Sequence, residues 1–490
     1  MNDVVHFEKV DGVAVITIDN PPVNALGHAV RAGLSDAIDR FVADDTAQAA
    51  LLLGAGKLFV GGADISEFGK PPKDPWLPEI IDRIEAAPKP VVCAIQGAAL
   101  GGGLEVTLGC HYRLAMAGAK LGLPEVTLGI IPGAGGTQRM PRLTGVAVAL
   151  DLIPAGATVP AERAVEIGLA DRLGEGDPRA AGLAYAQELI DGGAQPRPVG
   201  QMPCPTHDAQ AFAEARALWS KKNRGEVARL ASIDAIEAAT RLAIGPGFAE
   251  ERRIFDEMMQ TPQRAGLIHA FFIERKTAKL PEIEGVPPRE VAKIGVIGGG
   301  TMGAGIATAA LTRGLDVTLV ERDDAAAEKA AATIGRNLDG AVERGKLEPA
   351  QRDAILGTAF RTATDYGALS DADLAIEAVF EDMDVKKEVF AALDRVMKPG
   401  AVLATNTSYL DVNEIARSTS RPGDVIGLHF FSPAHVMKLL EVVVAEDTAH
   451  DVTATAFALA KRMGKTAVRA GVCDGFIGNR ILSAYRAAAD

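Results

Sequence analysis

Glu105 and Glu125 lie between two glycine turns, and no histidine occurs in the motifs around them. The first runs Gln96-Gly97-Ala98-Ala99-Leu100-Gly101-Gly102-Gly103-Leu104-Glu105. Its glycines open backbone conformations closed to other residues and let a ligand approach the main chain. The residues after them read as a helix, which places Glu105 in a first turn whose N–H groups lack partners. Pro124-Glu125 opens a second segment, followed by the turn Pro132-Gly133-Ala134-Gly135-Gly136, and an earlier strand ends in Gly61-Gly62-Ala63-Asp64-Ile65. A thioester oxygen held by the N–H groups of Ala63 and Gly102 could take on enolate charge, each donor contributing on the order of 3 kcal/mol in the transition state. The two carboxyls could share one water, one accepting its proton while the other protonates carbon. Neighbouring carboxylates repel, so one of them should stay protonated near neutral pH.

A second set of residues suits hydride chemistry. Lys293 to Ile297 reads as a buried strand, and Gly298-Gly299-Gly300-Thr301-Met302-Gly303 follows it directly. Gly298, Gly300 and Gly303 fit G-x-G-x-x-G ahead of a helix, with Thr301 and Met302 opening that helix and an acid, Glu321, ending the next strand. Pyrophosphate would sit on the helix N-terminus. Glu321 would accept from a ribose 2′-hydroxyl and repel a 2′-phosphate, favouring NAD over NADP, although Arg322 stands beside it. Further on, His429 and Glu441 suit a base that takes a hydroxyl proton and a carboxylate that fixes its tautomer.

These residues need two or three domains to position them, because 490 residues exceed what one core supports. Hydrophobic residues make up 48% and charged residues 23%, an ordinary globular mixture. A net charge of -13 argues against a nucleic-acid binder. Cys93, Cys110, Cys204 and Cys473 have no metal-ligand spacing, so no metal is expected and the thiols read as reduced. There is no membrane-spanning apolar run, Met1-Asn2-Asp3 opens no signal peptide, and Ala487 to Asp490 is no peroxisomal signal. A bacterial-type cytoplasm is the expected compartment; the oligomeric state is left open, a monomer being compatible.

Along the chain, Val13 to Asp19 reads as a strand, followed by alternating strands and helices to about residue 190. Gln195 to His207, with four prolines, reads as a loop. Closing helices are expected over about 226–279, broken at Gly245-Pro246-Gly247 and at Thr261-Pro262. The boundaries drawn are 1–280, a proline-rich linker at 281–290, 291–475, and 476–490.

The ordered motifs GGADI, QGAALGGGLE and LPEVTLGIIPGAGGTQR resemble the enoyl-CoA hydratase/isomerase (crotonase) family over about residues 1–280. The resemblance implies a ββα spiral, an acid/base pair at Glu105 and Glu125, and an oxyanion hole at Ala63 and Gly102. It also implies an acyl-coenzyme A substrate, for whose phosphates Lys57 and Lys276 are the candidates. Two glutamates favour hydration, with double-bond isomerisation as a side activity. Residues 291–490 resemble 3-hydroxyacyl-CoA dehydrogenases through Glu377 to Glu381, Asn406-Thr407-Ser408, GLHFFSP with MKLLE, and DGFIGNR. That implies an NAD-binding doubly wound parallel sheet, with Ser408 and Asn479 on the substrate or the histidine. Glu381, Lys386 and Asn406 would lie near the nicotinamide and its ribose. Ser432, where many single-function relatives carry asparagine, resembles the fused type-1 multifunctional enzymes.

Together the resemblances imply a bifunctional enzyme of fatty-acid β-oxidation. Two alternatives stand beside it: a hydratase/isomerase whose second half only binds NAD, and a CoA- and NAD-binding protein without catalysis. Residues 476–490 resemble the first helix of the dehydrogenases' C-terminal helical domain. Phe476, Ile477, Ile481, Leu482 and Tyr485 would form its apolar face. With little to pack against, that helix would hold Asn479 poorly, so good hydration and weak oxidation are expected.

Overall fold

The structure is a computed structural model that describes residues 4–71, 73–206, 208, 210–222 and 225–489. His207, the end of the expected proline loop, lies outside the described residues, as do residues 1–3 and Asp490. The chain divides into two compact units, Met1–Phe271 and Phe272–Asp490.

The first unit is built on a six-stranded sheet. Val5–Val10 pairs antiparallel with Val13–Ile18; Ala49–Gly54, Val91–Ile95, Tyr112–Met116 and Arg172–Gly174 then follow in parallel. Ala49–Gly54 and Val91–Ile95 are buried at every position, as strands covered on both faces must be. A three-stranded sheet, Ala98–Leu100, Lys120–Gly122 and Thr158–Pro160, stands beside it. The chain turns from the first strand of this small sheet straight into the helix Gly102–Gly109, all eight residues of which are buried. Strand and helix alternate through these turns, as a ββα spiral requires.

The closing helices are Val227–Arg241, Ile244–Met259 and Pro262–Lys276. The expected break at Gly245-Pro246-Gly247 does not occur. The chain breaks at Leu242 and Ala243, and Pro246 falls in the first turn of the next helix, where its missing N–H costs nothing. Gly247 is needed there, since a Cβ would lie 2.4 Å from Gln138 Oε1.

In the second unit an eight-stranded sheet runs Phe360–Ala363, Asp316–Val320, Lys293–Ile297, Leu374–Glu377, Val402–Thr405, Val425–Phe430, Leu439–Val444, Thr466–Gly471. Every pair is parallel except Val425–Phe430 with Leu439–Val444. Strand order reverses between Lys293–Ile297 and Leu374–Glu377, and the crevice at that switch point is where doubly wound sheets bind ligands. The proline-rich stretch 281–290, expected as the interdomain linker, belongs to this unit. Leu280 and Ile283 pack on its core, and Arg289 reaches Asp424 Oδ1 at 2.7 Å and Asp451 Oδ2 at 2.8 Å. Beyond a short helical turn at Pro281–Ile283 the segment is irregular and mostly exposed.

Candidate active sites

The first site is a cavity of about 600 Å³ whose lining includes Ala63, Gly102, Glu105 and Glu125. Each glycine of the triplet has its own reason. Gly101 has φ 54°, and a Cβ there would lie 3.0 Å from Glu125 Oε1. A Cβ on Gly102 would meet Leu77 Cδ2 at 2.9 Å and the nitrogen of Ala63 at 3.4 Å, so these two backbone segments nearly touch. A Cβ on Gly103 would lie 2.5 Å from the carbonyl oxygen of Val60. Among the described residues no hydrogen bond engages the N–H of Ala63 or of Gly102.

The two glutamates differ in their partners. Glu105 Oε1 accepts from the N–H of Ala134 at 2.7 Å and of Gly136 at 2.9 Å. Burial pushes its carboxyl up; those two N–H groups, with Arg139 and Arg252, oppose the rise. Glu125 opens a short turn of helix, Glu125–Leu128, and its buried Oε2 has no hydrogen-bond partner among the described residues. Burial first, then the charge of Glu105, holds the Glu125 carboxyl well above the usual range. A third carboxylate, Glu251 on Ile244–Met259, is 2% exposed and accepts from Gly135 and Thr137. Sequence reasoning placed it in a closing helix and gave it no role; a charged residue where that helix needs an apolar one was the available signal.

Neither lysine expected at the coenzyme A phosphates lines this cavity. Lys57 is exposed in a turn whose carbonyls at Ala55 and Leu58 are bound by Asn24. Lys276 is exposed at the end of Pro262–Lys276, past the boundary between the units. The cations that do line it are Arg31, Lys70, Lys73 and Arg252. Short, irregular segments carry Lys70 and Lys73, so no periodicity announced them.

The second unit holds a cleft of about 1360 Å³ lined by Gly298, Gly299, Gly300, Thr301, Met302 and Glu321, among others. The glycine spacing has a steric cause: Gly298 has φ 92°, and a Cβ on Gly303 would lie 1.8 Å from the Gly298 carbonyl. Glu321 Oε1 accepts from the Gly299 N–H at 2.6 Å, which places the acid against the loop. Arg322 instead points to Asp323 and is widely exposed. A backbone cradle at a helix N-terminus with a carboxylate beside it fits an adenine dinucleotide with a free ribose 2′-hydroxyl.

His429 and Glu441 face each other across the one antiparallel strand pair of this sheet. Directly opposed residues project to the same face, so pairing register alone brings the two side chains together. Nδ1 of His429 is 2.7 Å from Glu441 Oε2, and Nε2 is 3.3 Å from Ser408 Oγ. The imidazole packs against the rings of Phe431 and Phe476.

Other expected cofactor contacts are engaged within the protein. Lys386 is buried against Glu377 at 2.7 Å and lies 3.3 Å from Glu381; it does not line the glycine-loop cleft. Asn406 Oδ1 accepts from the Phe430 N–H at 2.8 Å, which ties the end of the histidine strand. Glu381 accepts from Thr407 Oγ1 and from the Ser408 N–H. Burial raises its carboxyl, but the Thr407 hydroxyl, the Lys386 charge and the Ser408 N–H outweigh that and hold it below the usual range.

Phe476 is not on the apolar face of a terminal helix. It is buried at φ 47°, two residues before the helix Gly478–Ala489 begins. That helix starts on the catalytic candidate itself: the N–H groups of Ile477 and Gly478 donate to Glu441 Oε1 at 3.1 and 2.7 Å. Asn479 is half-buried, and its side chain makes no hydrogen bond among the described residues.

Comparison with known proteins agrees with both halves. Residues 8–190 match the enoyl-CoA hydratase/isomerase family, and residues 293–473 match the NAD-binding domain of 3-hydroxyacyl-CoA dehydrogenase. A peroxisomal bifunctional enzyme of Danio rerio is 43% identical over 96% of this chain and 66% of its own length. Its Homo sapiens namesake is 40% identical over 97% and 66%. The peroxisomal fatty acid beta-oxidation multifunctional protein of Oryza sativa subsp. japonica is 38% identical over 97% and 67%. The chain thus spans about two thirds of the length of these relatives. With both domains matched in order and similarity running nearly end to end, the chain belongs to the bifunctional, β-oxidation multifunctional family that joins an enoyl-CoA hydratase/isomerase domain to a 3-hydroxyacyl-CoA dehydrogenase domain.

Proposed function

We propose that the chain hydrates trans-2-enoyl-CoA to 3-hydroxyacyl-CoA in its first unit and oxidises that product to 3-ketoacyl-CoA with NAD in its second. The observation that carries the first half is the asymmetry of the two glutamates in one cavity. Glu105, holding two N–H groups on one oxygen, is the base: it takes a proton from water as the water oxygen bonds to C3. The displaced electron pair moves through C2 to the thioester oxygen, where the N–H groups of Ala63 and Gly102 hold the enolate. Glu125, kept neutral by burial and by Glu105, gives its proton to C2. The proton on Glu105 then returns to Glu125 through solvent or product, restoring both. The same enolate gives access to isomerisation of a 3-enoyl substrate. Lys70, Lys73 and Arg252 at the cavity are the cations that suit a coenzyme A phosphate.

In the second unit NAD supplies a hydride acceptor, held by the Gly298–Gly303 loop and Glu321. Glu441 keeps a proton on Nδ1 of His429, so Nε2 is free to take the substrate hydroxyl proton, with Ser408 close enough to orient that hydroxyl. Asn479 stands at the start of the next helix, which suits contact with the substrate. The compartment expected from composition was cytoplasmic, whereas relatives carry peroxisomal names; no helix among the described residues is long and apolar enough to cross a membrane. One experiment tests both halves: follow the absorbance of crotonyl-CoA without NAD, then NADH formation once NAD is added. Loss of enoyl absorbance followed by NADH is the expected result. The first without the second would favour a hydratase whose second half only binds NAD, and neither would favour a binding protein.

A further inference from the structure

Four successive N–H groups, Ala134 to Thr137 in the second glycine turn of the first unit, are shared alternately by two buried carboxylates. Ala134 and Gly136 donate to Glu105 Oε1; Gly135 donates to Glu251 Oε1 at 2.6 Å and Thr137 to Glu251 Oε2 at 2.9 Å. The Thr137 hydroxyl also donates to Glu251 Oε2. The loop therefore runs between Glu105, from the helix Gly102–Gly109, and Glu251, from Ile244–Met259, with neither free to move without the other.

Among the described residues no cation pairs with Glu251, and all its partners belong to the first turn of the helix Gly136–Thr144 and the residue before it. A buried carboxylate without a cation is costly unless its position is required. Ile131, Ala235 and Ile254 form the apolar cluster around this helix pair, so replacing Glu251 by an apolar residue would be the simpler packing solution.

We propose that Glu251 is a positioning residue for hydration: by fixing Gly135 and Thr137 it aims the Ala134 and Gly136 N–H groups at Glu105, and so sets where the free oxygen of Glu105 stands and how firmly it holds a proton. This rests on the hydratase reading above. The charged groups facing this cluster are Glu105, Glu125, Arg139 from the helix Gly136–Thr144, and Arg252 beside Glu251 on its own helix. Helix Val227–Arg241 meets it through the Ala235 carbonyl, which accepts from Gln138. Burial, then the charge of Glu105, pushes the Glu251 carboxyl up to about 7, so its charge appears within the working range.

The test compares Glu251→Gln and Glu251→Asp with the unaltered full chain. Glu251→Gln keeps the shape but puts an NH₂ against an N–H; hydration of crotonyl-CoA should fall about tenfold to a hundredfold in kcat, as small misplacements of catalytic groups do, with KM little changed. Displacing the Ala134 and Gly136 N–H groups, which hold the Glu105 carboxyl down, should also make Glu105 keep its proton longer and move the acid limb of the rate profile to higher pH. Glu251→Asp lacks the reach to hold Gly135 and Thr137, so kcat should fall and the limb should move the same way. The carboxylic C=O band of Glu105, followed by infrared spectroscopy through a pH titration and assigned with Glu105→Gln, reports the same shift without turnover. It therefore separates this inference from the hydratase reading, which fails if the unaltered chain does not hydrate crotonyl-CoA. An unchanged limb and an unmoved C=O band in Glu251→Gln, whatever happens to kcat, would overturn the positioning role. So would a wild-type kcat in both variants.

Discussion

Each oxygen of Glu105 and Glu125 has a different environment: two N–H groups on one, none on the buried Oε2 of the other. An amide keeps the shape of either side chain but carries no transferable proton. Glu105→Gln and Glu125→Gln should each lower hydration by at least about a hundredfold, the usual contribution of a positioned acid or base. Binding of the coenzyme A portion should survive in both, as measured by calorimetry with a saturated acyl-CoA. Turnover near normal in either variant would remove that glutamate from the reaction. In the second unit, Glu321 stands against the glycine loop while Arg322 is turned to Asp323. NAD should therefore bind far more tightly than NADP; equal affinity in a fluorescence titration would mean that Arg322 governs the choice.

At the scale of elements, the dinucleotide loop depends on how closely the helix Thr301–Leu311 approaches it. Gly303→Ala would set a methyl group 1.8 Å from the Gly298 carbonyl, so helix and loop must separate. Overpacking of this kind commonly costs about 1–3 kcal/mol, and here the atom struck is backbone. NAD affinity and the melting temperature of the second unit should both fall, while hydration stays at the wild-type rate. Hydration impaired equally would show that the change is not local. The helix Gly478–Ala489 is tied at its first turn to Glu441, yet it exposes Ile481, Leu482 and Tyr485, the last at 73%.

For the whole molecule, the buried carboxylates make the stability of the first unit depend on pH in an unusual direction. Glu251 is raised from 4.5 to about 7. The folded state then binds its proton more tightly than the unfolded state does, so this stabilisation is complete below pH ~4.5 and is lost as pH rises to about 7. Glu105 and Glu125 are raised as well and act in the same sense. Carboxylates held low, such as Asp373 with its Lys398 partner, act in the opposite sense but only in more acid solution. Calorimetry at pH 5.5 and 7.5 should show the first unit melting higher at 5.5, with the difference much reduced in Glu251→Gln. A higher melting point at 7.5 would mean that these carboxyls are not raised.

The motifs alone determined much of this. The order of GGADI, the glycine triplet with Glu105, Glu125, the dinucleotide turn and the His429/Glu441 pair gave both folds and their candidate residues, because each depends on local sequence. A glycine spacing records a steric demand within a few residues, and the helix after it follows from the same stretch. Tertiary structure decided what depends on distant segments meeting. Glu251 reaches the Gly135 N–H across 116 positions, and no period or spacing encodes that encounter. Lys57 stands outside the lining of the cavity, since a lysine near a motif in sequence need not face the same cavity. The resemblance puts Lys386 and Asn406 near the nicotinamide, and packing adds partners that it does not name, Glu377 and the Phe430 backbone. Residues 281–290 look like a linker from their prolines and are mostly exposed, yet Ile283 packs on the second unit's core and Arg289 pairs with Asp424 and Asp451. Sequence fixes what a residue is able to do; which neighbour it does it with is settled only when the chain closes on itself.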